Sequence, residues 1–203
     1  VTNIGPNDFD LTTNSATGTI NNVSQDGGAD SWDISVNGLG GDDTIELGFD
    51  SGQDITDLAG NPLASTPSGT ATHDVDRVNP SVTSVSLIGS PTPTDSSVDF
   101  EVTFDTPVQD FAGSTDDLDL DTTGGVGGTI DSVTDQGGGD VYTVTVDGLN
   151  NADGTLGLDV LDSGDVQDAA GNPISGPFTS GATHDVDRLA PTVMSFSPTN
   201  PGA

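Results

Sequence analysis

The sequence predicts an all-β protein made of tandem immunoglobulin-like β-sandwich modules. Short runs in which apolar and polar residues alternate are separated by clusters of Gly, Asp, Asn and Pro, which is the pattern of strands and turns. The pattern recurs after 111 residues, so the repeat has the length of one domain. A unit of that length with about seven short strands is typical of an immunoglobulin-like sandwich.

The repeat extends through most of the chain. The segment ATHDVDR occurs at 71–77 and again at 182–188. The segment DSGQDITDLAGNP at 50–62 matches DSGDVQDAAGNP at 162–173. Because the matched segments follow one another in the same order, they indicate two copies of one module.

Seven strands are predicted for the complete unit, and their alternating apolar positions are expected to form the core. The predicted strands cover 81–88, 97–105, 117–122, 128–134, 140–147, 154–160 and 179–187. The predicted core positions are Phe100, Val102, Phe104, Leu118, Leu120, Ile130, Tyr142, Val144, Val146, Leu156, Leu158 and Val160. The equivalent positions of the first unit are Phe9, Leu11, Ile20, Trp32, Ile34, Val36, Ile45 and Leu47.

Alignment of the two copies predicts three segments. Residues 1–77 form a module that lacks its first two strands, 78–188 form a complete module, and 189–203 form a linker and the first strand of a following module. A sandwich without two of its strands exposes apolar surface and unpaired backbone groups. We therefore expect the missing strands to come from a longer array or from a neighbouring chain.

Negative charge dominates the composition. The chain has 33 acidic residues, two arginines and no lysine, and its formal net charge is -31. This repulsion must be offset by salt or by bound cations. It also argues against nucleic acid as a partner, since phosphates would be repelled. The absence of cysteine excludes disulfides and thiolate metal sites.

Paired aspartates at the end of each repeat predict a calcium site. In an extended strand, Asp74 and Asp76 lie on one side about 7 Å apart, whereas Arg77 points the other way. Calcium accepts about six to eight oxygen ligands in a flexible geometry. The alternative is that these aspartates are solvated turn-forming residues. The predicted ligands are Asp54, Asp57, Asn61, Asp74 and Asp76 in the first unit, and Asp165, Asp168, Asn172, Asp185 and Asp187 in the second.

The repeated motifs resemble a known family. DLAGNP (57–62) and DAAGNP (168–173), followed by SGTATHDVDRVNPSVTSV (68–85) and SGATHDVDRLAPTVMSF (180–196), resemble the bacterial Ig-like repeats of giant surface adhesins and biofilm-associated proteins. The resemblance implies tandem sandwiches in a secreted, extracellular stalk that takes part in cell adhesion. It also implies calcium near the domain junctions.

Two functions were weighed for such a chain. The first is a structural stalk or filament of a secreted or cell-surface adhesin, stiffened by calcium at the module junctions, with neighbouring repeats as partners and strand exchange between copies as one form of assembly. The second is a module that binds a glycan or a protein. We expect no enzymatic activity, because Ser, His and Asp occur without a nucleophile motif. Each arginine is expected to form a salt bridge with a nearby aspartate.

Overall fold

A computed structural model of the chain describes residues 1–28, 31–162 and 164–197. The chain forms two compact units, which divide between Val78 and Asn79. The aligned repeats placed this division one residue earlier. Apart from a single 3₁₀ turn, Pro6–Asp8, the regular elements of the described residues are β-strands. Within these residues, no helix is long and apolar enough to cross a membrane.

The first unit contains five strands in two antiparallel sheets. One sheet has the order β1-β4-β5, and the other consists of β2 and β3. The strands are β1 (Phe9–Thr13), β2 (Thr17–Gln25), β3 (Trp32–Gly40), β4 (Asp42–Phe49) and β5 (Ala71–Asp76).

The second unit contains the seven predicted strands in two antiparallel sheets. One sheet has the order β6-β7-β10-β9 and the other β12-β11-β8. The strands are β6 (Val82–Leu87), β7 (Val98–Phe104), β8 (Leu118–Thr122), β9 (Thr129–Asp135), β10 (Val141–Asp147), β11 (Asp153–Val160) and β12 (Thr183–Asp187).

The strand order identifies the fold of the second unit. With the strands lettered A to G along the chain, the two sheets are A-B-E-D and G-F-C. This is the arrangement of a constant-type immunoglobulin sandwich. The chain is therefore all-β and Ig-like, as the sequence predicts. The first unit has the same order for its five strands, C-F-G and D-E, without the strands that correspond to β6 and β7.

Alternation along the strands builds the core of the second unit. Inward residues of β7 and β10, such as Phe100 and Val144, are completely buried between the sheets. An aromatic cluster of Phe104, Phe111 and Tyr142 closes one end, with edge-to-face ring centroids 4.9–5.9 Å apart. Ten of the twelve predicted core residues are buried, while Leu120 and Ile130 are partly buried against the core.

The core of the first unit is much smaller than predicted. Of its eight predicted core residues only Ile45 is buried, and it packs with Ala16 and Val75. The prediction was wrong in degree because alternation indicates which face a residue occupies, not whether another strand covers that face. The residues that are only half-buried are Phe9, Leu11, Ile20, Trp32, Ile34, Val36 and Leu47.

The predicted first strand of a third module is not formed. Residues 191–197 belong to no strand, and residues 198–203 lie outside the described part of the chain. The equivalent segment of the second unit, β6, is a strand because it pairs with β7. Residues 191–197 have no such partner among the described residues.

Candidate metal site

The last strand of each unit carries the predicted aspartate pairs. Alternation along β5 directs Val75 into the core, and alternation along β12 does the same for Val186. The flanking aspartates are exposed, so the two members of each pair lie on the same side of their strand. These exposed residues are Asp74, Asp76, Asp185 and Asp187.

A second aspartate lies directly opposite the last aspartate of each pair. Asp76 faces Asp42 across the ladder of β4 and β5, and Asp187 faces Asp153 across the ladder of β11 and β12. Residues directly opposite each other in an antiparallel pair have Cβ atoms about 4.5–5.5 Å apart. Two carboxylates therefore lie side by side at the same place in both units.

The sequence analysis missed Asp42 and Asp153. Neither residue belongs to the recurring HDVDR motif, and only the strand register brings them next to it. The signal that could have found them is that each begins the strand preceding the motif strand, so an antiparallel hairpin places the start of one strand beside the end of the other.

These carboxylates also hold the segment that leaves each unit. In the first unit the backbone N–H of Val78 donates to Asp76 at 3.2 Å. In the second unit the backbone N–H groups of Arg188 and Leu189 donate to one oxygen of Asp153, at 3.2 and 3.0 Å. The remaining carboxylate oxygens of Asp153 and Asp187 face the solvent side of the sheet.

The aspartates of the D-x-A-G-N-P turns have a different role. The carboxylate of Asp57 accepts hydrogen bonds from the backbone of Ala59 and Asn61, both at 2.8 Å, and from the side-chain amide of Asn61 at 2.9 Å. Asp168 accepts the three equivalent bonds in the second unit, at 2.8–2.9 Å. In both units the turn aspartate therefore organises its own loop.

The electrostatics of the two turns agree with this role. Hydrogen bonds from Asn61 hold the pKa of Asp57 below its ordinary value. At Asp168 burial raises the pKa, but the hydrogen bonds from Asn172 and from the loop backbone outweigh it and the net shift is downward. Both carboxylates are thus stabilised in the ionised form by groups of the protein itself.

The turn and the aspartate pair lie at opposite ends of the second unit. The backbone N–H of Ser175, just after the turn, donates at 2.8 Å to Pro80, which precedes β6. The backbone N–H of Asp187 donates at 2.8 Å to Pro93, which follows β6. The eight residues of β11 also run from one end to the other, a span of about 23 Å.

The first unit has the same polarity. Asp54 lies near the start of β1, because its backbone N–H donates at 3.0 Å to the carboxylate of Asp8. Asp76 lies at the far end of the β4–β5 ladder, opposite Asp42. Calcium–oxygen distances are only about 2.3–2.6 Å, so the turn set and the strand set of one unit cannot share an ion.

The described residues limit what could bind calcium. Nowhere among them do three Asp, Glu or His side chains converge into a group that could hold a metal ion. The pairs Asp42–Asp76 and Asp153–Asp187 each supply at most four carboxylate oxygens. Water or backbone carbonyls would have to complete the shell of about six to eight oxygens. Calcium binding stays a prediction, and these pairs fit it better than the turns do.

Arg188 contacts a carbonyl group in the structure. Its guanidinium donates to the backbone oxygen of Thr94 at 3.2 Å. The neighbouring Asp95 has a lowered pKa, chiefly because the backbone and side chain of Thr92 donate to it, with smaller contributions from His184 and Arg188. The arginine therefore fastens the end of β12 to the loop between β6 and β7.

A second carboxylate cluster lies on the exposed face of the β8–β11 ladder. Asp159 faces Asp119 directly across the two strands. Burial raises the pKa of Asp159, and the charges of Asp121 and Asp119 raise it further. The sequence analysis placed these residues on ordinary strands and missed that they come together.

A repeated buried aspartate was also missed. Asp8 is 3% exposed, and its two oxygens accept the backbone N–H groups of Gly5 at 2.7 Å and Asp54 at 3.0 Å. The equivalent Asp117 is 2% exposed. Asp8 is therefore a structural residue that joins the start of β1 to the loop after β4.

Comparison with known proteins gives one structural similarity to report. No family model matches the chain, and no curated protein matches it. The chain is similar to the solved structure of FdeC, described as a broadly conserved Escherichia coli adhesin, with 18% identity and a TM-score of 0.41. The match covers 88% of this chain and 53% of that chain, so this chain spans about half of its length. At this similarity, the assignment of the Ig-like sandwich rests on the strand order of the second unit.

Proposed function

We propose that this chain belongs to the repetitive extracellular stalk of a bacterial adhesin or filament, in which copies of one immunoglobulin-like module supply length. The observation that carries the proposal is the repetition of structure as well as sequence. The order β1-β4-β5 recurs as β8-β11-β12, and the turn bonds of Asp57 recur at Asp168. Copies of a spacer can remain alike because each performs the same mechanical task.

The loops favour a spacer over a recognition module. Binding residues are concentrated in loops that vary while the scaffold stays constant. Here the D-x-A-G-N-P loops of the two units have the same hydrogen bonds to within 0.1 Å. The motif resemblance to bacterial surface adhesins supports an extracellular location and a role in adhesion or biofilm. The proposal includes no catalytic step.

We also propose that calcium stiffens the point where the chain leaves each unit. The pairs Asp42–Asp76 and Asp153–Asp187 would supply the carboxylates. When bound, the ion would neutralise two adjacent negative charges, which otherwise repel each other. The same pairs accept backbone hydrogen bonds from Val78 and from Leu189, so fixing the carboxylates also fixes the departing segment.

A display experiment tests the stalk function. One, two and four copies of the chain are placed between an outer-membrane anchor and an epitope tag, and the height of the tag above the cell surface is measured by super-resolution microscopy. A stalk predicts a height that increases in proportion to copy number. Flexible Gly/Ser linkers of matched length provide the control, because their mean extension grows only with about the square root of length.

Two outcomes would contradict the stalk function. The first is a tag height that follows the Gly/Ser control, since the copies would then supply no stiff length. The second is specific, saturable binding of the 203-residue chain to a glycan or protein array, which would support the recognition module instead.

A further inference from the structure

The first unit has an open strand edge. In the second unit β10 pairs on one side with β9 and on the other with β7. Its equivalent β3 pairs with β2, and among the described residues no strand occupies its other side. An open edge presents backbone N–H and C=O groups that a further strand can pair with.

An apolar groove runs beside this edge, between the two sheets of the first unit. It consists of two cavities of about 200 and 190 Å³ that share Ile34, Leu47 and Ala71. Further along the groove, Leu11 and Val36 line the larger cavity together with His73. The inward side chains of β3 therefore face a space and not a packed core.

The second unit shows what fills such a groove. The equivalents of Ile34 and Leu47 are Val144 and Leu158, and both are at most 1% exposed. They are covered by β7, whose inward residues Phe100 and Val102 are completely buried. The occupant that fits is thus an extended strand with large apolar side chains at every second position.

A segment with this character lies unpaired at 191–197. Its residues Val193, Met194 and Phe196 are 84%, 95% and 90% exposed, which makes them three of the four most exposed large apolar side chains among the described residues. No hydrogen bond joins this segment to other described residues. Its sequence PTVMSFS matches PSVTSVS at 80–86, which contains most of strand β6.

We propose that residues 191–197 of one copy of the chain add as an antiparallel strand to the open edge of β3 in a second copy. Met194 and Phe196 are two positions apart, so an extended backbone directs both to the same side. That side faces the groove, with Phe196 and Met194 beside Ile34 and Leu47. This assembly is independent of the stalk function, because it follows from the groove and the segment alone.

The interaction removes two unfavourable exposures at once. The apolar groove and the apolar side chains of 191–197 both leave water, and the ladder satisfies the open edge of β3. Charge does not oppose it, since residues 191–197 contain no acidic side chain while the chain as a whole carries -31. The contact is head-to-tail, so repeated addition forms a linear chain of molecules unless the geometry closes a ring.

Sedimentation velocity of the 203-residue chain over a range of concentrations tests this assembly. The wild-type chain is expected to self-associate reversibly, and Phe196→Asp is expected to weaken association about 10- to 100-fold. Leu58→Asp is the matched control, because Leu58 is equally exposed at 90% but lies in a turn away from the groove. A wild-type chain that stays monomeric, or variants that associate equally, would overturn the proposal.

Cross-linking identifies the occupant of the groove. The chain has no cysteine, so a chain with Ile34→Cys and a chain with Phe196→Cys can be mixed and oxidised. A mixed disulfide dimer is expected, and in far greater yield than from Ile34→Cys with Leu58→Cys. Equal yields would contradict the proposal. So would binding of a free peptide of residues 96–105 without binding of a peptide of 189–197, because the groove would then prefer the β7-type strand.

Discussion

Asp76 lies directly opposite Asp42 in the first unit, and the repeat reproduces this relationship as Asp187 opposite Asp153. Like charges in this position destabilise a sheet by about 0.2–1 kcal/mol. The chain carries a net charge of -31 and has few cations of its own to place there. A bound cation would give this repeated arrangement a physical reason.

The repulsion itself can be measured without calcium. In a chelated buffer of low ionic strength, Asp42→Asn is expected to raise the free energy of unfolding of the first unit by about 0.2–1 kcal/mol, because one of two opposing charges is removed. Urea unfolding followed by Trp32 fluorescence reports on this unit. Asp10→Asn changes the net charge equally, but Asp10 faces Gly48 and should have a smaller effect. A destabilised Asp42→Asn chain would show that the pair does not repel.

The D-x-A-G-N-P turn should depend on its aspartate. Asp168→Ala removes three hydrogen bonds from a loop whose aspartate is 7% exposed, so we expect the second unit to lose about 1–3 kcal/mol. Asp168→Asn keeps one acceptor oxygen for the backbone and should lose less. Chemical denaturation at pH 7 measures both. Equal stability of Asp168→Ala and the wild type would contradict the role of the turn.

Acid should weaken the same turn. The pKa of Asp168 is lowered in the folded protein, so its contribution to stability is present above the unfolded value of 3.8. It is lost as the pH falls below 3.8 through the folded pKa. Asp168→Ala should therefore lose less stability than the wild type over that pH range, measured by urea midpoints. Identical losses would show that another group causes the acid sensitivity.

Asp159 predicts an effect of opposite sign. Its pKa is raised by burial and by Asp121 and Asp119, so the folded state is favoured below pH 3.8 and this preference disappears as the pH rises through the folded pKa. Asp159→Asn is therefore expected to raise the melting temperature at pH 7 and to match the wild type in acid. Asp131→Asn, on an exposed position of the other sheet, controls for net charge. A pH-independent difference would contradict the crowding of these carboxylates.

The sequence predicts the strands well because alternation is local. All seven strands of the second unit are found, and the β7 prediction of 97–105 differs from Val98–Phe104 by one residue at each end. The last strand is shorter than its prediction of 179–187, since it begins at Thr183. Alternation could not foresee that Leu11 and Ile34 are half-buried, because their burial depends on a strand that lies far away in sequence.

The site was harder to predict because it depends on register and on polarity. Asp42 and Asp76 are 34 positions apart in sequence and become neighbours only in the ladder. The sequence also suggested that Asp57 and Asp76 could share an ion, because a turn and a strand end close together in sequence seem close in space. A strand carries the chain from one end of the sandwich to the other, so its beginning and its end are on opposite sides of the unit.

The central claim is that calcium binds the paired carboxylates, and calorimetry with calcium and sodium at matched ionic strength tests it most directly. Ligand that binds only the folded state raises the melting temperature, whereas screening acts equally for both salts. The account predicts a higher melting temperature in millimolar calcium, reversed by chelator, and most of this increment should disappear in the double variant Asp42→Asn, Asp76→Asn and its equivalent Asp153→Asn, Asp187→Asn. Identical melting curves in calcium and sodium would contradict the account, and the acidity would then serve solubility in a saline medium.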